Sequence, residues 1–410
     1  MASRRVGDQR QVGPDSPSTR VGSGRLLRSI GGAMSRRAYL VISLIAVVAA
    51  TLANVMVSSA RPATPGAREA QGITWSQAAD MPVGRHYLAV AASATRVYAV
   101  GGLSDGGYEA RIDEYNPANN TWTFKTNLPE ARIAHRAAVV NNRLYVMGGM
   151  IPGDAQTPTV RMLDLNTNQW YMLQNMPTGR RDFAIAVDGN FIFTIGGNVD
   201  GNGTLQNFEA LDTNTNTWTV LPNMPTGRRY LAAGAYNNKV YAIGGVSDYG
   251  FDKVEVYDRG TGVWSSLSGM PDGGRYGMSA GTVNGRIYPV AGKQSLNMMT
   301  NWVDELDTAT NVYDITANDA IFYRVEHDVA TIGNLMYVVG GWITDSSGSN
   351  GAISAHMEIG NVSGVPPATS SPTPRVCPTR TPNPYPVPTI PGMTPIARLP
   401  LIYQETCPYW

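Results

Sequence analysis

From residue 72 to residue 362 the apolar residues fall in short runs separated by clusters of Gly, Asn, Asp, Thr and Pro. Runs such as Val97–Val100, Leu144–Met147 and Val240–Ile243 end in a Gly-Gly pair and are rich in Val, Ile and Tyr. Short β-rich runs bounded by turn formers predict strands, and no 3.6-residue periodicity predicts helices between them. Two stretches stand outside this pattern. Residues 38–57 are twenty uncharged, mostly apolar residues. From about residue 365 the chain is rich in Pro, Thr and Ser and carries no such runs.

The strand pattern repeats. Doublets stand at Gly101-Gly102, Gly148-Gly149, Gly196-Gly197, Gly244-Gly245, Ala291-Gly292 and Gly340-Gly341, spaced 47, 48, 48, 47 and 49 residues apart. Three residues before each lies an aromatic: Tyr98, Tyr145, Phe193, Tyr241, Tyr288 and Tyr337. Sixteen residues before each lies an arginine: Arg85, Arg132, Arg180, Arg228, Arg275 and Arg324. Downstream, Trp122, Trp170, Trp218 and Trp264 recur in register, with Tyr313 in the fifth place. Six residues before each of these is an Asn or Asp that opens a turn such as DTNTNTW. Each unit reads as strand, turn, strand ending in the doublet, loop, strand, turn and Trp strand.

This set of doublet glycines, spaced aromatic and Trp resembles the kelch-repeat family over residues 72–362. The resemblance implies an all-β fold, a six-bladed β-propeller of four-stranded antiparallel blades. The ends suggest how the ring closes. An orphan Trp strand at residues 72–82 holds Trp75, 47 residues before Trp122, while residues 352–360 supply one strand after the last doublet and no Trp strand follows. The N-terminal strand is therefore expected to complete the last blade, which removes open sheet edges. The repeated aromatics are expected to fill the wedges between blades.

Charge divides the chain. The net +1 conceals eight Arg and two Asp in residues 1–60 followed by a mildly acidic remainder. An acidic body argues against nucleic-acid binding, which calls for a basic patch. Arg36 and Arg37 before the apolar stretch, with Ser58-Ser59-Ala60 after it, read as a signal peptide or membrane anchor over residues 34–60. Residues 1–33 read as an untranslated or disordered basic leader, with Met34 as the alternative start, and 61–71 as a linker. Residues 363–410 read as a polyproline-like tail or spacer. Cys377 and Cys407 both lie in that tail, either paired in an oxidising compartment or free. The expectation is a secreted or cell-surface monomer, touching membrane only through an uncleaved N-terminal segment.

The resemblance implies that the loops after the Trp strands and after the doublets open on one face, the ligand face. The six arginines then either ring its mouth, favouring acidic groups on a protein or glycan, or belong to the repeat's architecture. Specificity is expected where the repeats differ. Just after the arginines stand His86 and Tyr87, His135, Arg181 and Asp182, Arg229 and Tyr230, Tyr276, and Glu326 and His327. The alternative is an extracellular sugar enzyme resembling the sialic-acid mutarotase or a lyase, with Arg324, Glu326, Arg180 and Asp182 as its acid–base and carboxylate-binding groups. Galactose-oxidase-like copper chemistry needs a Cys–Tyr pair, and the repeats contain no Cys. The four His show no metal-ligand spacing, so neither metal nor cofactor is expected.

Overall fold

The computed structural model describes residues 72–362, apart from 201–202, 248–251, 272, 295–297, 317 and 345–350. The N-terminal 71 residues, with the apolar stretch, and the tail with both Cys lie outside the described residues. The described residues hold strands and turns and no helix.

Six four-stranded antiparallel sheets follow one another along the chain. The first blade comprises Ala89–Ala92, Val97–Val100, Arg111–Asn116 and Thr121–Asn127. The fourth comprises Ala232–Tyr236, Lys239–Ile243, Val254–Asp258 and Val263–Ser266. The inner strand of each blade contacts the inner strands of its two neighbours, and that of the first blade touches that of the sixth. A β-propeller results.

The sixth blade is built from both ends of the described chain. Its inner three strands are Asp328–Ile332, Leu335–Val339 and Met357–Val362. Its outer strand is Ile73–Gln77, paired in register with Val362 back to Glu358. Ile73 is buried among Val283, Val290, Val338 and Val362, so the closing strand contributes core as well as ladder bonds. The expected single strand over 352–360 divides in two. Ala352–Ile353 pairs with Trp342–Thr344 in a hairpin beyond the doublet, and only from Met357 does the chain join the blade.

The repeated residues have distinct duties. The six spaced aromatics are buried and pack between neighbouring blades. Each Trp indole reaches back to the preceding blade: Trp122 donates to Ala79 O (2.9 Å), Trp170 to Asn127 O, Trp218 to Gln174 O, Trp264 to Pro222 O and Trp75 to Asn318 O. In the fifth blade Tyr313 takes the packing position. The first doublet glycine has positive φ, and a Cβ there would collide with the next blade: at Gly196 it would lie 2.4 Å from Arg228 O. The fifth blade tolerates Ala291, also at positive φ, where its ladder shifts register between Val290 and Gly292.

The inner strands surround a channel of about 230 Å³ lined mostly by Ala, Gly, Val, Ser and Thr. Small side chains at the axis are what six converging strands leave room for. Arg136 and Asp328 bring charge into the channel lining. Asp328 is bonded there to Ser279 Oγ and Val90 N.

Candidate functional site: the mouth of the ring

The six repeated arginines do not face the mouth. Arg85, Arg132, Arg180, Arg228, Arg275 and Arg324 are all fully buried. In each, Nη1 donates to the carbonyl of the first doublet residue, at 2.7 Å for Gly244 and 3.1 Å for Gly101. It also donates to the carbonyl entering the third strand, such as Arg111 O at 2.8 Å and Lys253 O at 2.7 Å. Nη2 meets a buried carboxylate of that strand: Asp113 at 2.7 Å, Glu209 at 2.5 Å, Glu255 at 2.6 Å, Asp304, and Glu358 at 2.9 Å. The second blade is the exception. Arg161 occupies the carboxylate's place, and Glu130 from the preceding loop pairs with both Arg132 and Arg161. A guanidinium that is fully buried and held by backbone carbonyls and a desolvated acid is out of a ligand's reach, so of the two readings of the arginines the ligand-facing ring is corrected to an internal brace.

Two residues beyond each arginine the chain does something the sequence did not announce. Tyr87, Ala134, Asp182, Tyr230, Gly277 and Glu326 all take the left-handed conformation, with φ between 51° and 65°. Their backbones bond head to tail in a closed circle. Ala134 N donates to Tyr87 O, Asp182 N to Ala134 O, Tyr230 N to Asp182 O, Gly277 N to Tyr230 O, Glu326 N to Gly277 O and Tyr87 N to Glu326 O, at 2.8–3.2 Å. Positive φ costs a non-glycine residue about 1 kcal/mol or more, and the circle of bonds offsets it. One residue earlier, each blade bridges to its own doublet loop, as in His86 with Leu103, Arg181 with Asn198 and Tyr276 with Lys293. Hairpins such as Leu103–Tyr108 and Met150–Gln156 therefore stand beside the circle as a rim.

The non-repeating side chains gather here. A cavity of about 20 Å³ is bounded by Tyr87, Ala134, Arg136, Asp182, Tyr230, Gly277, Met278, Glu326 and His327. Asp182 is 2% exposed, and its Oδ2 has no hydrogen-bond partner; Arg181 Nη1 is 3.8 Å away. Burial raises its pKa to about 6, against the pull of Arg181, Arg136 and Arg229 and with a push from Glu326. Glu326 accepts from or pairs with His86 Nδ1 at 2.9 Å. Burial raises the Tyr87 hydroxyl far above its ordinary range, reinforced by Glu326, and takes Tyr230 up to about 12, reinforced by Asp182. Around the edge, Arg181 bonds Asp200 at 2.8 Å, Arg229 lies over the Tyr230 ring, and His86 meets the edge of Trp342.

Two histidines leave the site. His135 and His327 are buried, at the positions that hold Leu88, Phe183, Leu231 and Met278 in the other blades. Each packs beneath its blade's second doublet glycine, Gly149 or Gly341. Burial, with nearby arginines, holds both imidazoles well below their usual pKa, so they are neutral. The acid–base pairings of the enzyme alternative are also not formed. Arg180 and Arg324 are engaged with Glu209 and Glu358, while Asp182 and Glu326 lie at the cavity. Among the described residues no group of three or more His, Cys, Asp or Glu is placed to hold a metal ion.

With this geometry in view, comparison with known families is decisive. The KLHDC2/KLHL20/DRC7 Kelch-repeats domain matches residues 134–341, and the Kelch motif matches residues 84–129. The chain belongs to the kelch-repeat family. The kelch propeller is 40% identical over 77 residues to F-box/kelch-repeat protein At1g67480 of Arabidopsis thaliana, covering 18% of this chain and 20% of that protein. It is 32% identical over 77 residues to Kelch-like protein 15 of Homo sapiens (19% and 13%) and 35% identical over 92 residues to Kelch-like protein 35 of Mus musculus (22% and 16%). The matched stretches thus span a fifth or less of these relatives.

Five of the six brace carboxylates were open to sequence reading. Asp113, Glu209, Glu255, Asp304 and Glu358 each stand at a buried position of the third strand, 27 to 34 residues after the arginine. An acid in a buried strand at a recurring offset from an arginine is a signal of an internal ion pair. The left-handed circle has no such signal, because no single residue type with a left-handed preference recurs at its six positions.

Proposed function

We propose that this kelch propeller is a binding module whose ligand face is the left-handed circle and its rim of hairpins. The partner is a protein, with a glycan as the other class, met outside the cytoplasm. Membership of the kelch-repeat family supports protein binding. The observation that carries the choice of face is the circle itself. The repeat is regular in the braces and wedges, and it varies in chemistry at the six positions where Tyr, Asp and Glu border one cavity. Support for an extracytoplasmic setting is the charge-free stretch of residues 38–57 behind Arg36 and Arg37.

Full-length protein on peptide and glycan arrays tests this reading. Tyr276→Ala and Arg229→Ala at the mouth are expected to remove the wild-type hits, whereas Asn237→Ala, in the inner-strand turn at the far end of the fourth blade, keeps them. Hits lost with Asn237→Ala and kept by both mouth variants would reverse the choice of face. Cell fractionation with a C-terminal tag tests the setting; a purely cytoplasmic product would overturn it.

A further inference from the structure

The circle has an internal order. Taken blade by blade it reads Tyr87, Ala134, Asp182 and then Tyr230, Gly277, Glu326, so the sequence tyrosine, small residue, acid occurs twice. On a six-membered ring the like members stand opposite one another: two tyrosines, two gaps and two carboxylates. We propose that this mouth is a receptor for a primary ammonium group, presented by a lysine side chain or a chain amine of the partner and seated between Asp182 and Glu326. The inference rests on the mouth being the ligand face and names the chemistry taken there.

The carboxylate oxygen Asp182 Oδ2 is the first ground. Asp182 lines the cavity and is almost wholly buried, and this oxygen has no hydrogen-bond partner, with Arg181 Nη1 3.8 Å away. Buried carboxylates without donors are costly, and a donor arriving with positive charge relieves that cost most. Size is the second ground. A cavity of about 20 Å³ admits one water-sized group. An NH3⁺ head has that size; a guanidinium or a quaternary ammonium does not.

The sign of the field is the third ground. At the Tyr87 hydroxyl Glu326 and Asp182 both favour the protonated form, and Glu326 does the same at Tyr276, whereas Arg181, Arg136 and Arg229 act in the opposite sense at Asp182 itself. The cations facing the mouth each have a further contact: Arg136 with His135 O at 3.3 Å, Arg181 with Asp200 while its Nη1 stays 3.8 Å from Asp182 Oδ2, and Arg229 over Tyr230. Lys293 stands at the rim beside Tyr276, and His327 is held neutral by burial. His86 is turned to Glu326. The arginines that would favour an acidic ligand are the buried braces. The Tyr87 and Tyr230 side chains border the same cavity beside the acids.

Thermal unfolding of the full-length protein at pH 7.5 with n-butylammonium chloride tests the inference. Controls are sodium chloride at equal ionic strength, tetramethylammonium chloride and sodium butyrate. Butylammonium is expected to raise the Tm in a saturable way, because a ligand of the native state stabilises it, and the controls to match sodium chloride. Asp182→Asn and Glu326→Gln should each weaken the response at least tenfold, and Asn237→Ala should leave it unchanged. A response to butylammonium no larger than to sodium chloride, or one equal in Asp182→Asn, Glu326→Gln and wild type, would overturn the cation receptor. If that occurs while Tyr276→Ala still abolishes the array hits, the mouth stands as the ligand face and its cation chemistry falls. If the array hits survive Tyr276→Ala as well, both readings fall.

Discussion

Arg228 Nη2 lies 2.6 Å from Glu255 Oε2, with both side chains almost fully withdrawn from solvent. The same arginine holds the carbonyls of Gly244 and Lys253 at 2.7 Å, so one guanidinium ties the doublet turn to the third strand of its blade. Removing one partner of such a pair leaves a charge stranded in the core. Glu255→Ala is expected to cost about 3–5 kcal/mol in denaturant unfolding. Glu130→Ala in the second blade, whose carboxylate is 40% exposed but whose partner Arg132 is fully buried, is expected to cost less, about 1–3 kcal/mol. Equal costs would mean that burial does not set the strength of the brace.

Ring closure predicts a strong effect from a residue far from any ligand. Ile73→Asp places a charge among Val283, Val338 and Val362 at the seam between the first and last described strands. A loss of about 3 kcal/mol or more is expected, with aggregation from the freed edge of Met357–Val362. Ser76→Asp, in the same strand but exposed, is expected to change stability by less than about 0.5 kcal/mol. Circular dichroism melts of the two variants separate these outcomes.

The doublet position gives a stabilising prediction. Ala291 sits at φ 54°, a conformation that glycine adopts without steric cost. Ala291→Gly should gain up to about 1 kcal/mol. Gly244→Ala should be severely destabilising, since its Cβ would lie 2.5 Å from Arg275 O and 2.1 Å from the Met278 methyl group.

Buried histidines and a buried acid pull the pH dependence in opposite directions. His135 and His327 stay neutral in the folded protein, whereas in the unfolded chain they take up protons below about pH 6.5. Stability therefore falls as pH drops below about 6.5, by up to about 1.4 kcal/mol per unit for each histidine. The double variant His135→Leu, His327→Leu should flatten that limb; an unchanged slope would place the histidines in water.

Asp182 has the reverse sign. Its folded pKa of about 6 lies above the unfolded value near 3.9, so it lowers stability as pH rises from about 4 to 6 and keeps that cost above it. Asp182→Asn, which also tolerates the left-handed backbone, should raise the Tm at pH 7.5 and have little effect at pH 4. A Tm lowered at both pH values would contradict this.

Much of this was legible in the sequence because propellers repeat. Trp75, in register with Trp122, announced the closing strand, and the spaced aromatics announced the wedges. The arginines were legible as repeated, which left a ligand ring and an architectural role both open; the acids that complete them stand at varying offsets of 27 to 34 residues, so the repeat alone does not decide between the two. His135 stood in register with Leu88 and Phe183, which is the mark of a core position. The circle was illegible for a physical reason. Left-handed backbone at Tyr87, Ala134 and Glu326 is imposed by bonds between blades, not by local propensity, so nothing in the residue types foretells it.

Fold and function join at a desolvated carboxylate at the mouth, whose Oδ2 accepts no hydrogen bond. Titration of the Asp182 carboxyl carbon by NMR in selectively labelled full-length protein, with and without n-butylammonium, tests it most directly. The expected midpoint is about 6 in the free protein, falling when the cation is present because a neighbouring positive charge favours the ionised form. A midpoint near 4 that the cation does not move would contradict the account.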